Sequence, residues 1–463
     1  MARPNILFVF SDQHRWSDLG CYGHQEVKSP HFDAFAEDGV CFDNCLSNCP
    51  LCVPARGTLL TGQLPLKHGA IGNDLPIRPE TTSVADVLNL AGYHTGYVGK
   101  WHLAGIPRDQ AVLPGRGRLG FNEWKVANCS HDYMNSYFDD EDCRRHPIEG
   151  YEPTTQTDLA IDFIKRNRNQ EEPWALWLSW GPPHDPYRAI PQPWLDLYPA
   201  DKLSLAPNVR LPVTKNPQNI WDEAQLRQAM QGYYAHISAL DAEFGRILQC
   251  LEQTGQESQT LVVYTSDHGD MLGSHGCRDK QLPYEESIHV PLLMRWPAQG
   301  LRGRRQQLIG LADLAPTLLG AAGLAFPNAI DGQDLSSLLT DSTAPGPDQI
   351  YLMDYTACHQ SFDRGTPAWR AIRTQDHLFA KTSDGSPWLF FDLKKDPLQL
   401  SNLIDRPEGA QDVRSLGRTL DTLVEKHDAY YDPDVLIPWC GLLEPWNESQ
   451  REFNLPEISA SAH

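Results

Sequence analysis

Asn5-Ile6-Leu7-Phe8-Val9-Phe10 runs without a break into Ser11-Asp12-Gln13-His14. The apolar part is too short for a core helix and shows no polar alternation, so it reads as a strand buried on both faces. The same pattern returns along the chain. Thr95–Val98 leads into Gly99-Lys100-Trp101-His102, Trp174–Trp180 into Gly181-Pro182-Pro183-His184, and Leu261–Thr265 into Ser266-Asp267-His268-Gly269-Asp270. Pro291–Met294 is a further short apolar run. Strands alternating with helical patterns predict an α/β fold: a large mixed, mostly parallel sheet flanked by helices. In open α/β sheets, ligands sit beyond the carboxyl ends of the strands. Polar clusters repeated at those ends therefore predict one shared site.

Helix signals fill the intervals. Ser83–Leu90 reads as a helix with Ser83 as its cap and Gly92 as its stop. The clearest helix runs from Asp222 to Gln253. Its Leu226, Met230, Tyr233, Ile237, Leu240, Phe244, Ile247 and Leu251 recur at gaps of four and three, and Gly255 ends it. Such a stripe covers one face of a sheet. Pro345-Gly346-Pro347 reads as a linker, dividing the chain into a large domain at 1–344 and a smaller one at 345–463. Beyond the linker, Ile350–Tyr355, Ala368–Thr374, His377–Lys381 and Trp388–Asp392 predict a small antiparallel sheet, with Asp384-Gly385 as a hairpin turn. Val413, Leu416, Leu420 and Leu423 mark one amphipathic helix, and the tail after Tyr430 reads as irregular.

Charge narrows the function classes. The 463 residues carry 60 acidic against 39 basic side chains, a formal net charge of -21. A global negative field repels nucleic acid and anionic membranes, so neither is an expected partner. It repels an anionic substrate too, so an anion site must bring its own cations. No run of 18 apolar residues occurs, which argues against a transmembrane helix. Met1-Ala2-Arg3-Pro4 leads straight into the first strand without a signal-peptide pattern. The expected location is cytoplasmic, or periplasmic or secreted where a leader has been removed. The 11 cysteines are an odd number scattered over a long chain, which does not suggest a disulfide scaffold. Cys41, Cys45, Cys49 and Cys52 crowd together, but their gaps fit no standard zinc or iron–sulfur pattern. They read as buried or loop thiols beside one special cysteine.

That cysteine opens Cys52-Val53-Pro54-Ala55-Arg56, followed by Gly57-Thr58-Leu59-Leu60-Thr61-Gly62. Pro54 suits the first turn of a helix, where its missing N–H has no partner to lose. Cys52 then sits at the helix N-terminus, where the dipole and free N–H groups favour anions. With its C-x-P-x-R form and the downstream Thr61-Gly62, the chain resembles a type I sulfatase of the alkaline-phosphatase superfamily. The likeness runs from Asn5 to Leu403, and Phe390-Phe391-Asp392-Leu393-Lys394-Lys395-Asp396-Pro397 is similar to a turn of that family's C-terminal domain.

The resemblance implies an alkaline-phosphatase-like fold, a formylglycine made from Cys52 by a maturation enzyme, and an essential Arg56. It places one divalent metal on Asp12, Gln13, Asp267 and His268. The commoner family set is three carboxylates and an asparagine; Gln13 and His268 depart from it, as in some bacterial sulfatases and phosphonate hydrolases. Ca2+ is the expected ion, while the imidazole also suits Mn2+ or another transition metal. Lys100 and His102 match a G-K-x-H motif, His184 matches the mid-chain histidine, and Lys280 matches a lysine that contacts sulfate. These groups supply the local positive field that the chain as a whole lacks.

In the implied reaction, one hydroxyl of hydrated formylglycine attacks sulfur. His184 donates a proton to the leaving alcohol, while Lys100, Lys280, Arg56 and the metal stabilise charge. His102 then deprotonates the second hydroxyl, and sulfate leaves. The expected activity is hydrolysis of sulfate monoesters of a carbohydrate or other small alcohol. His14, Arg15, Trp101, Asp185 and Arg188 adjoin these motifs and are candidate contacts to that alcohol. A phosphonate monoester or phosphodiester hydrolase of the same superfamily is the alternative, but the resemblance gives those relatives neutral residues in place of Lys100 and His102. A catalytically inactive sulfatase-like protein is the other alternative, although every matched position is chemically competent. The sequons Asn128-Cys129-Ser130 and Asn447-Glu448-Ser449 matter only in a secretory host.

Overall fold

In the computed structural model, residues 3–216, 219–356, 358, 361, 364–427, 433–452 and 454–459 are described. The strands, in chain order, begin with β1 (Asn5–Asp12), β2 (Val40–Leu46), β3 (His94–Lys100) and β4 (Glu123–Ala127). They continue with β5 (Asn135–Asp139), β6 (Arg145–Glu149), β7 (Trp174–Pro183) and a ribbon of β8 (Val213–Asn216) and β9 (Asn219–Trp221). β10 (Thr260–Ser266), β11 (His289–Val290), β12 (Leu292–Arg295) and β13 (Gly303–Gly310) complete the large sheet. Its order is β11-β2-β12-β10-β1-β7-β3-β4-β5-β6, with β13 also paired to β2. The central strands β10, β1, β7, β3 and β4 run parallel, and antiparallel strands close both edges. The predicted mixed α/β sheet is present, and each strand predicted before the linker lies in it.

The unbroken apolar run in β1 has a direct cause. Ile6, Phe8 and Phe10 enter one core with Leu59, Leu88 and Leu314; Leu7 and Val9 enter another with Leu240, Phe244 and Ile247. Both faces of the strand are covered, so no position can be polar until the strand leaves the sheet. The second core is built on the long helix Glu223–Gln253, whose predicted stripe is buried throughout. Asp222 caps it: its side chain accepts from Gln225 N at 2.9 Å, while the Gln225 side chain accepts from Asp222 N at 3.0 Å. The helix Val84–Leu90 has the same reciprocal cap between Ser83 and Asp86.

Register brings the chemistry to one edge. Ser11 pairs with Ser266 across β1 and β10, and Phe10 and Gly99 both pair with Ser179 of β7. Gly99 has φ 104°, and a Cβ there would lie 2.0 Å from Ser179 O. Only glycine lets β3 approach β7 so closely just before Lys100.

β14 (Gln349–Asp354), β15 (Trp369–Thr374), β16 (His377–Thr382) and β17 (Pro387–Asp392) form the antiparallel second sheet. One face packs Leu352, Trp369, Leu378 and Leu389 on Leu46, Ile288 and Leu308 at the edge of the large sheet. The other buries Phe379 and Phe390 with Leu420 and Val424 of the helix Ala410–His427. The hairpin turn at Asp384-Gly385 is observed, with Gly385 at φ 83°.

One expectation needs correction. The tail is not irregular: helices Pro433–Trp439 and Leu443–Glu452 follow, though Tyr430 itself lies outside the described residues. These helices are too short to show a period, and Leu436, Ile437 and Trp446 hold them against the core shared with Leu51 and Ile71. The crowded cysteines are buried thiols, as expected: Cys41, Cys45 and Cys49 enter three different cores. Cys41 and Cys45 lie on β2, a strand masked in the sequence by its Asp43 and Asn44. Among the described residues, no helix is long and apolar enough to cross a membrane.

Candidate active site

The carboxyl ends of β10, β1, β7 and β3 meet as neighbours, carrying Asp267, Asp12, His184 and Lys100. Gln13 and His102, each at a strand exit, adopt left-handed backbone with φ 69° and 62°. That conformation is uncommon for side-chain-bearing residues and turns the chain sharply within the site. The helix Cys52–Thr61 enters from β2 with Cys52 as its first residue and every residue buried. Its Val53 N–H is already taken by Asn73 Oδ1 at 3.1 Å, so the helix end is only partly open to a ligand.

Arg56 ties these ends together. Its Nε donates to Asp267 Oδ2 at 3.1 Å, and one terminal nitrogen donates to Asp12 Oδ2 at 3.0 Å. The other donates to Lys100 O at 2.9 Å and Ser179 Oγ at 2.7 Å. A fully buried guanidinium with these commitments orients the two carboxylates. The expectation that Arg56 itself steadies the transferring group is therefore replaced by a positioning role. Asp267 Oδ1 accepts from the Gln13 and His268 backbone N–H groups at 3.0 and 2.9 Å.

Four ligating atoms, from Asp12, Cys52, Asp267 and His268, lie within 4.8 Å of one another. His268 Nδ1 is 3.0 Å from Gly269 O, so Nδ1 carries the proton and Nε2 offers its lone pair to the cluster. That Nε2 lies 3.2 Å from Cys52 Sγ and 3.6 Å from Asp12 Oδ1. The amide of Gln13 is oriented by Nε2 donating to Asp270 Oδ2 at 2.7 Å, which leaves Oε1 facing Lys280 Nζ at 2.6 Å. Burial and the neighbouring Asp12 push the Asp267 carboxyl up. Two buried carboxylates beside an imidazole lone pair are a poor neutral assembly and a good divalent-cation cradle.

Cations fill the other side. Lys100 Nζ donates to Asp12 Oδ2 at 2.7 Å, and Lys280 Nζ lies 2.7 Å from His184 Nε2. The lysines are 3% and 1% exposed, so their charge acts in a nearly dry site. Burial alone would raise the Cys52 thiol, but Lys280 and Lys100 hold it well below its ordinary range. The same surroundings favour an anionic oxygen in place of that sulfur. Burial pulls His102 down, yet Cys129 and Asp74 raise it above its ordinary value. Its Nε2 is 3.7 Å from Asp74 Oδ1.

Residues 4–324 match the Sulfatase family, and residues 273–426 match the family N-sulphoglucosamine sulphohydrolase, C-terminal. The chain belongs to the sulfatase family. It is 36% identical over 434 residues to the ulvan-active sulfatase of Formosa agariphila, covering 92% of this chain and 81% of that protein. It is 29% identical over 493 residues to the endo-4-O-sulfatase of Bacteroides thetaiotaomicron, covering 94% of each. A protein solved in complex with its substrate D-glucosamine-2-N,6-O-disulfate superposes with TM-score 0.80 at 26% identity, covering 92% of this chain and 98% of that one. This sulfatase is therefore a sulfuric ester hydrolase, as the resemblance implied. Its family generally uses formylglycine and a divalent metal, and the buried Asp/Cys/Asp/His cluster fits both.

Not every sequence candidate belongs to the site of this sulfatase. Trp101 is fully buried in an aromatic core with Tyr97, Phe121 and Trp124. His14 bonds Tyr264 OH at 2.8 Å, and burial lowers it to about 4. Arg15 pairs with Asp18 at 2.5 Å. Packing occupies all three, so the expected substrate contacts at His14, Arg15 and Trp101 are withdrawn. Asp185 O accepts from His184 Nδ1 at 2.7 Å, and the exposed Arg188 holds Gln231. Conversely, the sequence reading passed over Asp74, which Arg108 fixes through two 2.7 Å bonds, and His131, 3.1 Å from Lys100 Nζ. Both lie in loops distant from any motif, where only the tertiary fold reveals them.

Proposed function

We propose that this sulfatase removes sulfate from carbohydrate monoesters, through a formylglycine generated at Cys52 by a maturation enzyme. The observation that carries this reading is the convergence of Lys100, Lys280, His102 and His184 on Cys52 and the two carboxylates. The ulvan-active relative and the neighbour with a disulfated glucosamine support a sugar as the alcohol.

Hydrated formylglycine would supply one hydroxyl to attack sulfur and a second to expel sulfate. Asp12, Gln13, Asp267 and His268 would hold Ca2+, which would acidify the attacking hydroxyl and polarise the sulfuryl oxygens; the nitrogen donor of His268 also admits Mn2+. Lys100 and Lys280 present fixed ammonium donors to the transferring group. Lys280 Nζ donates to His184 Nε2 at 2.7 Å, while Asp185 O accepts from His184 Nδ1 at 2.7 Å. When a sulfate ester takes up the ammonium of Lys280, His184 Nε2 is released to take a proton from solvent and deliver it to the leaving oxygen. His102, with Nε2 3.7 Å from Asp74 Oδ1, is assigned the proton that must leave the second hydroxyl, which its ring can take only in the neutral form. A direct test compares 4-nitrophenyl sulfate and sulfated monosaccharides with a nitrophenyl phosphonate monoester. Sulfate turnover well above phosphonate turnover is expected; the reverse order overturns the reading in favour of a phosphonate hydrolase.

A further inference from the structure

The loop after β4 carries Cys129-Ser130-His131 across the carboxyl end of β3. There the His131 ring stacks on the His184 ring, with centroids 4.4 Å apart and planes 3° from parallel. Its Nε2 lies 3.1 Å from Lys100 Nζ. One imidazole thus touches both the candidate proton donor and a sulfate-facing lysine, yet it belongs to no motif.

We propose that His131 is a positioning residue, which sets the plane of the His184 ring by stacking and the reach of Lys100 by accepting its hydrogen bond. The proposal rests on the reading of His184 as the donor to the leaving oxygen. An ammonium has only protons to offer, so His131 Nε2 must be the acceptor and Nδ1 must carry the ring's hydrogen. His131 is therefore neutral. Burial and Lys100 keep it so, lowering it to about 4. Neutrality matters, because two protonated rings stacked at this distance would repel each other, whereas a neutral ring tolerates a protonated His184. The stack also confines His184 to one plane, and the 2.7 Å contact of its Nδ1 with Asp185 O fixes the rotation within it. Nε2 is then aimed at one point. Proton transfer needs a donor within hydrogen-bond reach of the bridging oxygen, and small misplacements are costly.

The test uses metal-loaded, formylglycine-bearing enzyme with 4-nitrophenyl sulfate and phenyl sulfate. As the S–O bond breaks, phenolate needs the proton and nitrophenolate does not. His131→Ala is expected to lower kcat for phenyl sulfate about ten- to hundredfold more than for 4-nitrophenyl sulfate. His131→Phe keeps the aromatic face but not the acceptor for Lys100, so it should recover most of the difference between the two esters and not the loss common to both. Thermal unfolding of both variants checks that they fold. Equal losses on the two esters, no loss on either, or His131→Phe no better than His131→Ala would overturn the proposal. His184→Ala measured alongside separates the two failures. If it shows the leaving-group dependence while His131→Ala does not, only the role of His131 falls. If His184→Ala itself shows none, the donor reading falls and this proposal falls with it.

Discussion

Cys49 and Cys52 lie three residues apart, and both are buried. Around Cys49, burial is compounded by Asp354 and Cys358, and the thiol is pushed well above its ordinary value. Around Cys52, burial has the same sign, but Lys280 and Lys100 reverse the outcome. Desolvation therefore does not mark a reactive cysteine; the charge buried with it does. One side of this short segment excludes negative charge and the other is built to receive it. The whole chain, at -21, makes that second environment a local construction.

The sharpest way to break the comparison is to remove each thiol. Cys52→Ala should drop turnover of 4-nitrophenyl sulfate to background while the fold survives. Cys49→Ala should keep turnover and lose about 1 kcal/mol of stability, read from denaturant unfolding. Comparable activity in the two variants would erase the distinction. Metal removal comes next: a chelator, or Asp267→Ala, should abolish activity and lower Tm, because a ligand bound only by the native state stabilises it. Unchanged Tm on chelation would mean that the carboxylate pair holds no ion. A smaller effect is expected from the cations. Lys100→Ala and Lys280→Ala should each reduce kcat on sulfate esters about 10²–10³-fold, the usual loss for one transition-state donor. Losses below tenfold would place the lysines outside the reacting shell.

The smallest expected effect lies on the Cys49 side. Burial raises the Asp354 carboxyl to about 7, although Ser361 and Gln281 bond to it. Its folded value stands above the unfolded one. Its contribution to stability is therefore complete below about pH 4 and is lost as pH rises through about 7. Asp354→Asn should match the parent near pH 4 and gain on it above pH 7 in urea unfolding. A variant that falls further behind the parent as pH rises would show that the Cys49 environment accepts anions after all.

Much of this was legible in the residues. The apolar runs of β1, β3, β7 and β10 are read as strands because both faces of the sheet are covered, and their polar exits locate the site. The stripe of Glu223–Gln253 is equally plain, because a long helix repeats its pattern many times. β2 was missed because Asp43 and Asn44 interrupt its apolar pattern, and the tail helices because they are too short to show a period. In the site, the resemblance named Asp12, Cys52, Lys100 and Asp267, which the fold brings together, but adjacency to a motif does not bring in Trp101. Being next to Lys100 on a turning chain sends its side chain into the aromatic core instead. Asp74 and His131 act through partners 34 and 31 residues away, a relation that only the folded chain creates.

Conversion of Cys52 to the reacting group of a sulfatase is visible in a mass spectrum. The peptide spanning Cys52 would be measured in enzyme purified from cells that contain the maturation machinery and that turns over a sulfate ester. The account predicts that this peptide is lighter by the thiol-to-aldehyde difference, in a fraction that rises and falls with specific activity across preparations. Full activity in protein whose Cys52 is entirely unmodified thiol would contradict it.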